Sequence, residues 1–262
     1  MKNYSELMQD FLAGAPRYKI DVGENWKQGR TAFGGLTAAL LLQAVQNDYP
    51  DLPPLRTLQV NFIGPADGEI EVSHKLLRKG KNNVSFYAEA NSALGNGTHA
   101  LMTFGVGRDM QRDMDYPKKR IDVQPEDLPF VERPPHAPRF LDNMDRRWVS
   151  GPQFMDGSDD PDVLVWGRLA DESARADGLA PLVLLTDTPP AALTFIKGPV
   201  RALSSMNWNI NMLTDDYTTR DGWWLMRSVT RFVKDGYSSQ LIQVWNSEGR
   251  RVMDAMQHQA IF

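Results

Sequence analysis

The second half of this chain repeats the first. "VNFIG" at Val60 is matched by "INMLT" at Ile210, 150 residues on (210 − 60). Lys79-Gly80 is matched by Asp235-Gly236 at an offset of 156 (236 − 80), and Asn96-Gly97 by Glu248-Gly249 at 152 (249 − 97). "HALMTFGVG" is likewise matched by "DAMQHQAIF" at the C-terminus. A period this long means two copies of one domain, since solenoid repeats run to only about 20–50 residues. This constrains the fold more than any local motif, because whatever one half builds the other must also be able to build.

Each half reads as one apolar helix followed by a meander of strands. In the first, "AFGGLTAALLLQAVQN" is apolar on nearly all sides, which implies a buried helix. Gly34-Gly35 opens it, and Pro50, Pro53 and Pro54 stop it. Four strands follow: "TLQVNFIG", "GEIEVSHKLLRKG", "NNVSFYAEANSA" and "THALMTFGVG", separated by Gly- and Asn-rich turns. In the second half "ADGLAPLVLLTDT" is the helix, stopped by Pro189-Pro190. Its strands are "LSSMNWNINML", "WWLMRSVTRFVKDG", "YSSQLIQVWNSEG" and "RVMDAMQHQAIF". An apolar helix beside alternating strands is buried most simply by a sheet curled around it. Two such units can form a pseudo-dimer with their sheets continuous or back to back.

Between the halves, Arg112 to Phe140 carries Pro117, Pro125, Pro129, Pro134, Pro135 and Pro138 and little apolar periodicity, and reads as an extended linker. The expected division is an N-terminal unit at 1–110, a linker at 111–145 and a C-terminal unit at 146–262.

Within β-like alternation, "LSSMNWNIN" is unusually polar. Met206, Trp208 and Ile210 are expected on one face, and Ser205, Asn207, Asn209 and Asn211 on the other. Asn is depleted in strands, so this row calls for a role. In the last strand, Gln257 shares a face with Ala255 and Gln259, and its first-half counterpart is Met102. Polar in one copy and apolar in the other suggests that only the second copy carries chemistry. Asn207 corresponds likewise to Thr57.

Several function classes fall away. The chain has no cysteine, so thiolate nucleophiles, disulfides and cysteine-ligated zinc are excluded. Its net charge of −4 gives no nucleic-acid footprint. The four histidines lack metal-ligand spacing, and no Gly-x-Ser-x-Gly elbow or phosphate loop occurs. "MKNYSELMQDFLAG" has no apolar signal core, and no window is apolar enough to span a membrane, so a cytoplasmic location is expected. The acidic loop "DGSDDPD" lacks calcium-loop spacing and reads as solvated. Arg78, Lys79, Lys81 and Lys118 to Arg120 read as surface.

"AFGGLTAALLLQAV", "LVLLTDTPPAAL", "SSMNWNINML" and "DAMQHQAIF", in this order and duplicated, resemble segments of the double-hotdog acyl-CoA thioesterases of the type II family. The resemblance runs from about Gly29 to the C-terminus, outside the linker. It implies an α+β double hotdog and hydrolysis of an acyl-CoA to free acid and CoA, with no cofactor or metal. It leaves room for a homo-oligomer. That family uses an aspartate, a hydroxyl and a glutamine to hold a water against the thioester. The glutamine position falls on Gln257 and the hydroxyl on Thr230, with Ser228 as its rival. The aspartate position falls on Asn207, a departure. Phe33, Gly34 and Gly35 fall on the substrate-binding helix opening. Asp187 matches a family aspartate at the second helix's end, where it reads as structural and as a reserve base.

The residues themselves fit such a reaction in part. A helix N-terminus stabilises a developing oxyanion, and Gly34-Gly35 would admit a carbonyl close to its backbone. Asn207 can orient a water but takes no proton near pH 7. The alternative left open by Asn207 is a hotdog that binds an acyl thioester or another apolar ligand with little or no turnover.

Overall fold

The computed structural model describes residues 1–135, 137–175, 178–189, 191–197 and 202–262. His136, Ala176, Asp177 and Pro190, which belong to segments quoted above, lie outside the described residues.

The chain opens with helix α1 (Tyr4–Ala13), whose Asn3 and Glu6 form a reciprocal capping box. Strand β1 (Tyr18–Asp21) and the short hairpin β2 (Lys27–Gln28) and β3 (Thr31–Ala32) lead into α2 (Gly34–Asp48). Four strands follow: β4 (Leu55–Phe62), β5 (Glu69–Lys79), β6 (Asn83–Ser92) and β7 (Gly95–Gly105). After the linker come β8 (Met144–Ser150), β9 (Asp162–Leu169) and helix α3 (Leu179–Thr186). The second meander is β10 (Leu203–Met212), β11 (Trp224–Lys234), β12 (Tyr237–Trp245) and β13 (Arg251–Ile261).

All these strands except β2 and β3 form one antiparallel sheet of eleven, in the order β1-β5-β6-β7-β4-β10-β13-β12-β11-β9-β8. The two halves are therefore continuous, joined where β4 pairs with β10 from Asn61↔Asn207 to Thr57↔Asn211. The chain is an α+β double hotdog.

The duplication extends to irregularities. Three β-bulges recur at matching places: Leu55/Thr57 and Ser205/Asn207, Leu76/Arg78 and Thr230/Phe232, Ala90/Asn91 and Val244/Trp245. A bulge adds one residue to one strand and re-aims the side chains beyond it. Its repetition means that both halves bend at the same points.

The helices differ more than the duplication suggests. α2 has 15 residues and α3 only 8. Gly178 is extended and begins α3, while Thr188 precedes Pro189, a position disfavoured for helix, so the segment cannot run longer at either end. Both helices lie in one apolar core with the inner face of the sheet, including Leu58, Val60, Met102, Trp208 and Ile210.

The linker does two jobs. Ile121 and Leu128 pack on a second cluster of Trp166, Trp223, Leu225 and Trp245, on the sheet's outer face at the C-terminal edge. Further on, Phe140 stacks on Phe33 at the start of α2, with ring centroids 3.8 Å apart.

α2 and α3 approach closely only because Gly35 lacks a side chain. A Cβ there would lie 2.5 Å from the Leu184 carbonyl oxygen and 2.7 Å from the Phe33 ring. Gly35→Ala is therefore expected to lower unfolding free energy by about 1–3 kcal/mol, despite alanine's better helix propensity. Gly107→Ala, with open space around it, serves as the control. Urea unfolding reads both; equal midpoints would refute the close approach.

Candidate active site

The face assignment within β10 turns on Met206. The bulge between Ser205 and Asn207 inserts one residue, so Ser205 joins the inner face with Trp208 and Ile210. Asn207, Asn209 and Asn211 are left on the outer face. The expected common face of Ser205 and Asn207 is thus corrected. Asn207 pairs with His258, whereas Gln257 pairs with Trp208 on the opposite face. Asn207 does not meet Gln257.

Gln257 is buried on the inner face of β13, and its amide is fully used. Its Oε1 accepts from Gln240 Nε2 at 2.8 Å and from Gln259 Nε2 at 2.9 Å. Its Nε2 donates to Asp187 Oδ1 at 2.5 Å and to Ser205 Oγ at 2.9 Å. Ser238 Oγ in turn donates to Gln259 Oε1 at 3.2 Å. Two donors on one side fix the Gln257 oxygen there, which aims the NH₂ at the carboxylate.

Asp187 follows the last residue of α3, and its carboxylate sits at the N-terminus of α2. The Gly35 N–H donates to it, and a Cβ on Gly34 would lie 2.9 Å from its Oδ2. The helix end expected to receive a substrate carbonyl is therefore occupied by a side chain of the protein. Gly34 and Gly35 make room for Asp187 and for α3. Burial pushes the Asp187 carboxyl up from 3.8 to about 7, against the opposing pull of the Gln257 and Gly35 hydrogen bonds. Such a group changes charge near neutral pH, as a general base must.

A cavity of about 750 Å³ opens onto this cluster. Asp187, Ser205 and Gln259 line its floor, and Gln28 and Gly29 one side. Linker residues 133–135 and 137–141 form a wall, which the Phe33–Phe140 stack braces. Arg139 is exposed at the rim. None of Arg78, Lys79, Lys81 and Lys118 to Arg120 lines this cavity.

Thr230 and Ser228 are both buried on the inner face of β11, and neither hydroxyl has a hydrogen-bond partner among the described residues. Thr230 pairs with Gln240, which pairs with Gln257. Two strand spacings, about 10 Å, thus separate Thr230 from Gln257. The hydroxyl beside Gln257 is Ser205. The signal for the missed residues was already in the strands: β12 and β13 place Ser238, Gln240, Gln257 and Gln259 at alternate positions. Strand register aligns these with Val84, Phe86, Met102 and Phe104 of the first half. Ser205 aligns with Leu55. Among the described residues, no group of three or more histidines and carboxylates is placed to hold a metal.

Residues 22–105 match the acyl-CoA thioesterase N-terminal domain, and residues 122–261 the acyl-CoA thioesterase C-terminal domain. The chain belongs to the acyl-CoA thioesterase family. Among solved structures, it is similar to a hot-dog-fold protein of unknown function from Alicyclobacillus acidocaldarius, at 21% identity and a TM-score of 0.83, over 95% of this chain and 94% of that one. A putative thioesterase II from Thermobifida fusca has 16% identity and a TM-score of 0.77, over 95% and 93%. An acyl-CoA thioesterase II from Mycobacterium marinum has 17% identity and a TM-score of 0.69, over 94% and 93%. At these identities the structures establish the fold. A search of curated proteins gave no match. Family membership supports thioester hydrolysis as the general class of chemistry.

The buried carboxyl has a thermodynamic signature. In the unfolded chain Asp187 loses its proton near 3.8, but in the folded family member only near 7. Between these values the folded state binds more protons, so the contribution of Asp187 to stability falls as pH rises and levels off above about 7. Asp187→Asn removes this term. Urea unfolding across pH 4.5 to 8 is expected to show the wild type losing stability relative to Asp187→Asn. A constant difference would refute the raised value.

Proposed function

We propose that this protein hydrolyses acyl-CoA thioesters to a free acid and CoA, with Asp187 as general base. The observation that carries this reading is the shared amide of Gln257. Its bonds of 2.5 and 2.9 Å hold Asp187 Oδ1 and Ser205 Oγ within about 5.4 Å of each other, the sum of the two legs. One water can bridge a span of that size. Ser205 Oγ accepts from Gln257, so its own proton points elsewhere and is available to the cavity.

In this reading the acyl thioester enters the cavity with its carbonyl beside Ser205. Asp187 takes a proton from the bridging water while the water oxygen bonds to the carbonyl carbon. The oxyanion accepts from the Ser205 hydroxyl. The intermediate collapses as the C–S bond breaks, and the sulfur leaves with the proton held by Asp187. Gln257 positions Asp187 and Ser205 and exchanges no proton. Phe154, Met155 and Leu193 supply apolar wall, and Arg139 a cation at the rim for the phosphates of CoA.

The family aspartate position at Asn207 takes no part here, since Asn207 faces outward. The alternative of a hotdog that binds without turnover rested on that residue, so its main support is gone.

Free CoA release across acyl chain lengths tests the reading directly; no release above background from any acyl-CoA would sink it. Asp187→Asn is expected to lower kcat by about 10²–10⁴-fold, the usual worth of a general base. The wild-type kcat/KM should rise with pH and level off above about 7, because only ionised Asp187 accepts the proton. Asn207→Asp should leave kcat/KM unchanged. A large gain would return the base role to that position.

A further inference from the structure

Arg78, Lys79 and Lys81 take no part in the cavity above, and the turn between β5 and β6 that carries them is unusual in its own right. Every residue from 75 to 81 is exposed. Lys75, Arg78, Lys79 and Lys81 give this tip four cations, and no carboxylate occurs from residue 72 to residue 88. None of the four is ion-paired among the described residues. The chain as a whole carries a net charge of −4, so the tip is a local reversal of its charge.

Apolar side chains sit among these cations. A bulge inserts Leu77 between Leu76 and Arg78, and the two leucines are exposed at 37% and 50%. Val106 is exposed at 45% beside them, its N–H donating to the Asn82 carbonyl in the turn at 3.0 Å. Both faces of the tip carry cations: Lys75 and Arg78 pair with Tyr87 and Ser85 on one, Leu76 and Lys79 with Phe86 and Val84 on the other. β1 pairs with β5 only from Glu69 to Val72, so the edge beyond is open. Lysines alone would blunt such an edge against strand pairing, but exposed leucines work against that purpose. The equivalent tip of the second half keeps an exposed apolar pair, Phe232 and Val233. There Arg231 and Lys234 stand against Asp235 and the acidic loop that ends at Asp162, so the cation excess belongs to the first half.

We propose that the β5–β6 tip docks this protein on an anionic lipid surface, with Leu76 and Leu77 entering the interfacial layer and the four cations meeting lipid phosphates. Lysine and arginine lay their stems along apolar surface while their heads reach outward, so leucines and cations act in one layer. A bilayer surrounds a projecting tip and meets both of its faces, whereas a protein surface meets one. The tip lies at the Leu55 and Phe104 end of the sheet, and Ser205 and Gln259 at the other, so docking leaves the Asp187 cavity uncovered. The inference does not rest on the hydrolytic reading.

Co-sedimentation of the intact chain with vesicles tests this. The wild type should sediment with vesicles of phosphatidylcholine and phosphatidylglycerol in 0.1 M salt, and much less with phosphatidylcholine alone. Raising salt to 1 M should release it, as the screening length falls from about 10 to about 3 Å. Lys79→Glu with Lys81→Glu should weaken binding by at least about 25-fold, about fivefold for each cation lost. Leu76→Ser with Leu77→Ser should weaken it about tenfold or more. Arg231→Glu with Lys234→Glu, the same charge change at the equivalent tip, should leave it intact. All three variants should keep the wild-type far-UV spectrum. A wild type that stays in the supernatant with the anionic vesicles would overturn the proposal, as would equal losses in the two glutamate variants. Full binding by the serine variant would also overturn it, because the tip would then recognise charge alone, as a soluble polyanion presents it.

Discussion

The bond between Gln257 and Asp187 is the contact on which the arrangement of this molecule turns. It joins the last strand of the second half to the end of α3, and through Asp187 to the first amides of α2 in the first half. A carboxylate at this depth is costly unless its charge is met. Here it is met by an amide and by a helix end, which are weaker than a cation would be. Its pKa therefore rises without the group becoming permanently neutral. An arginine in place of Gln257 would hold the carboxylate ionised and poorly basic. A neutral donor leaves the proton affinity near physiological pH, where proton transfer can go either way.

Duplication explains why this balance exists only once. Both halves bend at the same three bulges, so each sheet offers the same inward positions. In the second half these hold Ser205, Ser238, Gln240, Gln257 and Gln259. In the first they hold Leu55, Val84, Phe86, Met102 and Phe104. A buried polar group needs partners, and hydrogen bonds link these polar residues into one connected set, although the Gln240 oxygen has no partner among the described residues. Replacing one at a time would strand the rest, so the two versions of the inner face differ as whole sets. The smaller cavity of about 240 Å³ beside Leu55, Phe104 and Leu179 occupies the equivalent place at the other end of the molecule. Its walls from the sheet are apolar and carry none of the hydrolytic groups.

Much of the fold was legible in the sequence, because hydrophobic periodicity and turn residues report directly on burial. Eight strands, the duplication and the buried helix α2 follow from that pattern. The length of α3 was less legible, since apolar residues on all sides do not mark a helix end. The site was half legible. Gln257 was indicated by the resemblance, and its counterpart Met102 marked a local change of chemistry there. The same comparison along β12 would have found Gln240 and Ser238. Ser205 and Met206 were misplaced because strict alternation assumes no inserted residue, and Met206 is one; Asn207 entered the site only through the resemblance. A bulge has no dependable sequence signature when the bulged residue is not glycine. Asp187 read as a helix-end residue, which it is. Its chemical environment comes from α2 and β13, 139 and 70 residues distant along the chain if counted from Asp48 and Gln257 (187 − 48, 257 − 187).

The linker adds a constraint that neither half could supply. Each hotdog unit buries its helix against its own sheet, and that alone leaves the Asp187 cluster at an open crevice. Residues 133–135 and 137–141 close that side. Arg133 is held by Asp142 and by the carbonyls of Pro134 and Ala137, which rigidifies the wall ahead of the 3₁₀ turn at Arg139–Asn143. The prolines limit its conformations before folding and so reduce the entropy lost in ordering it. The segment least like a domain in sequence thus walls the cavity onto which Asp187 opens.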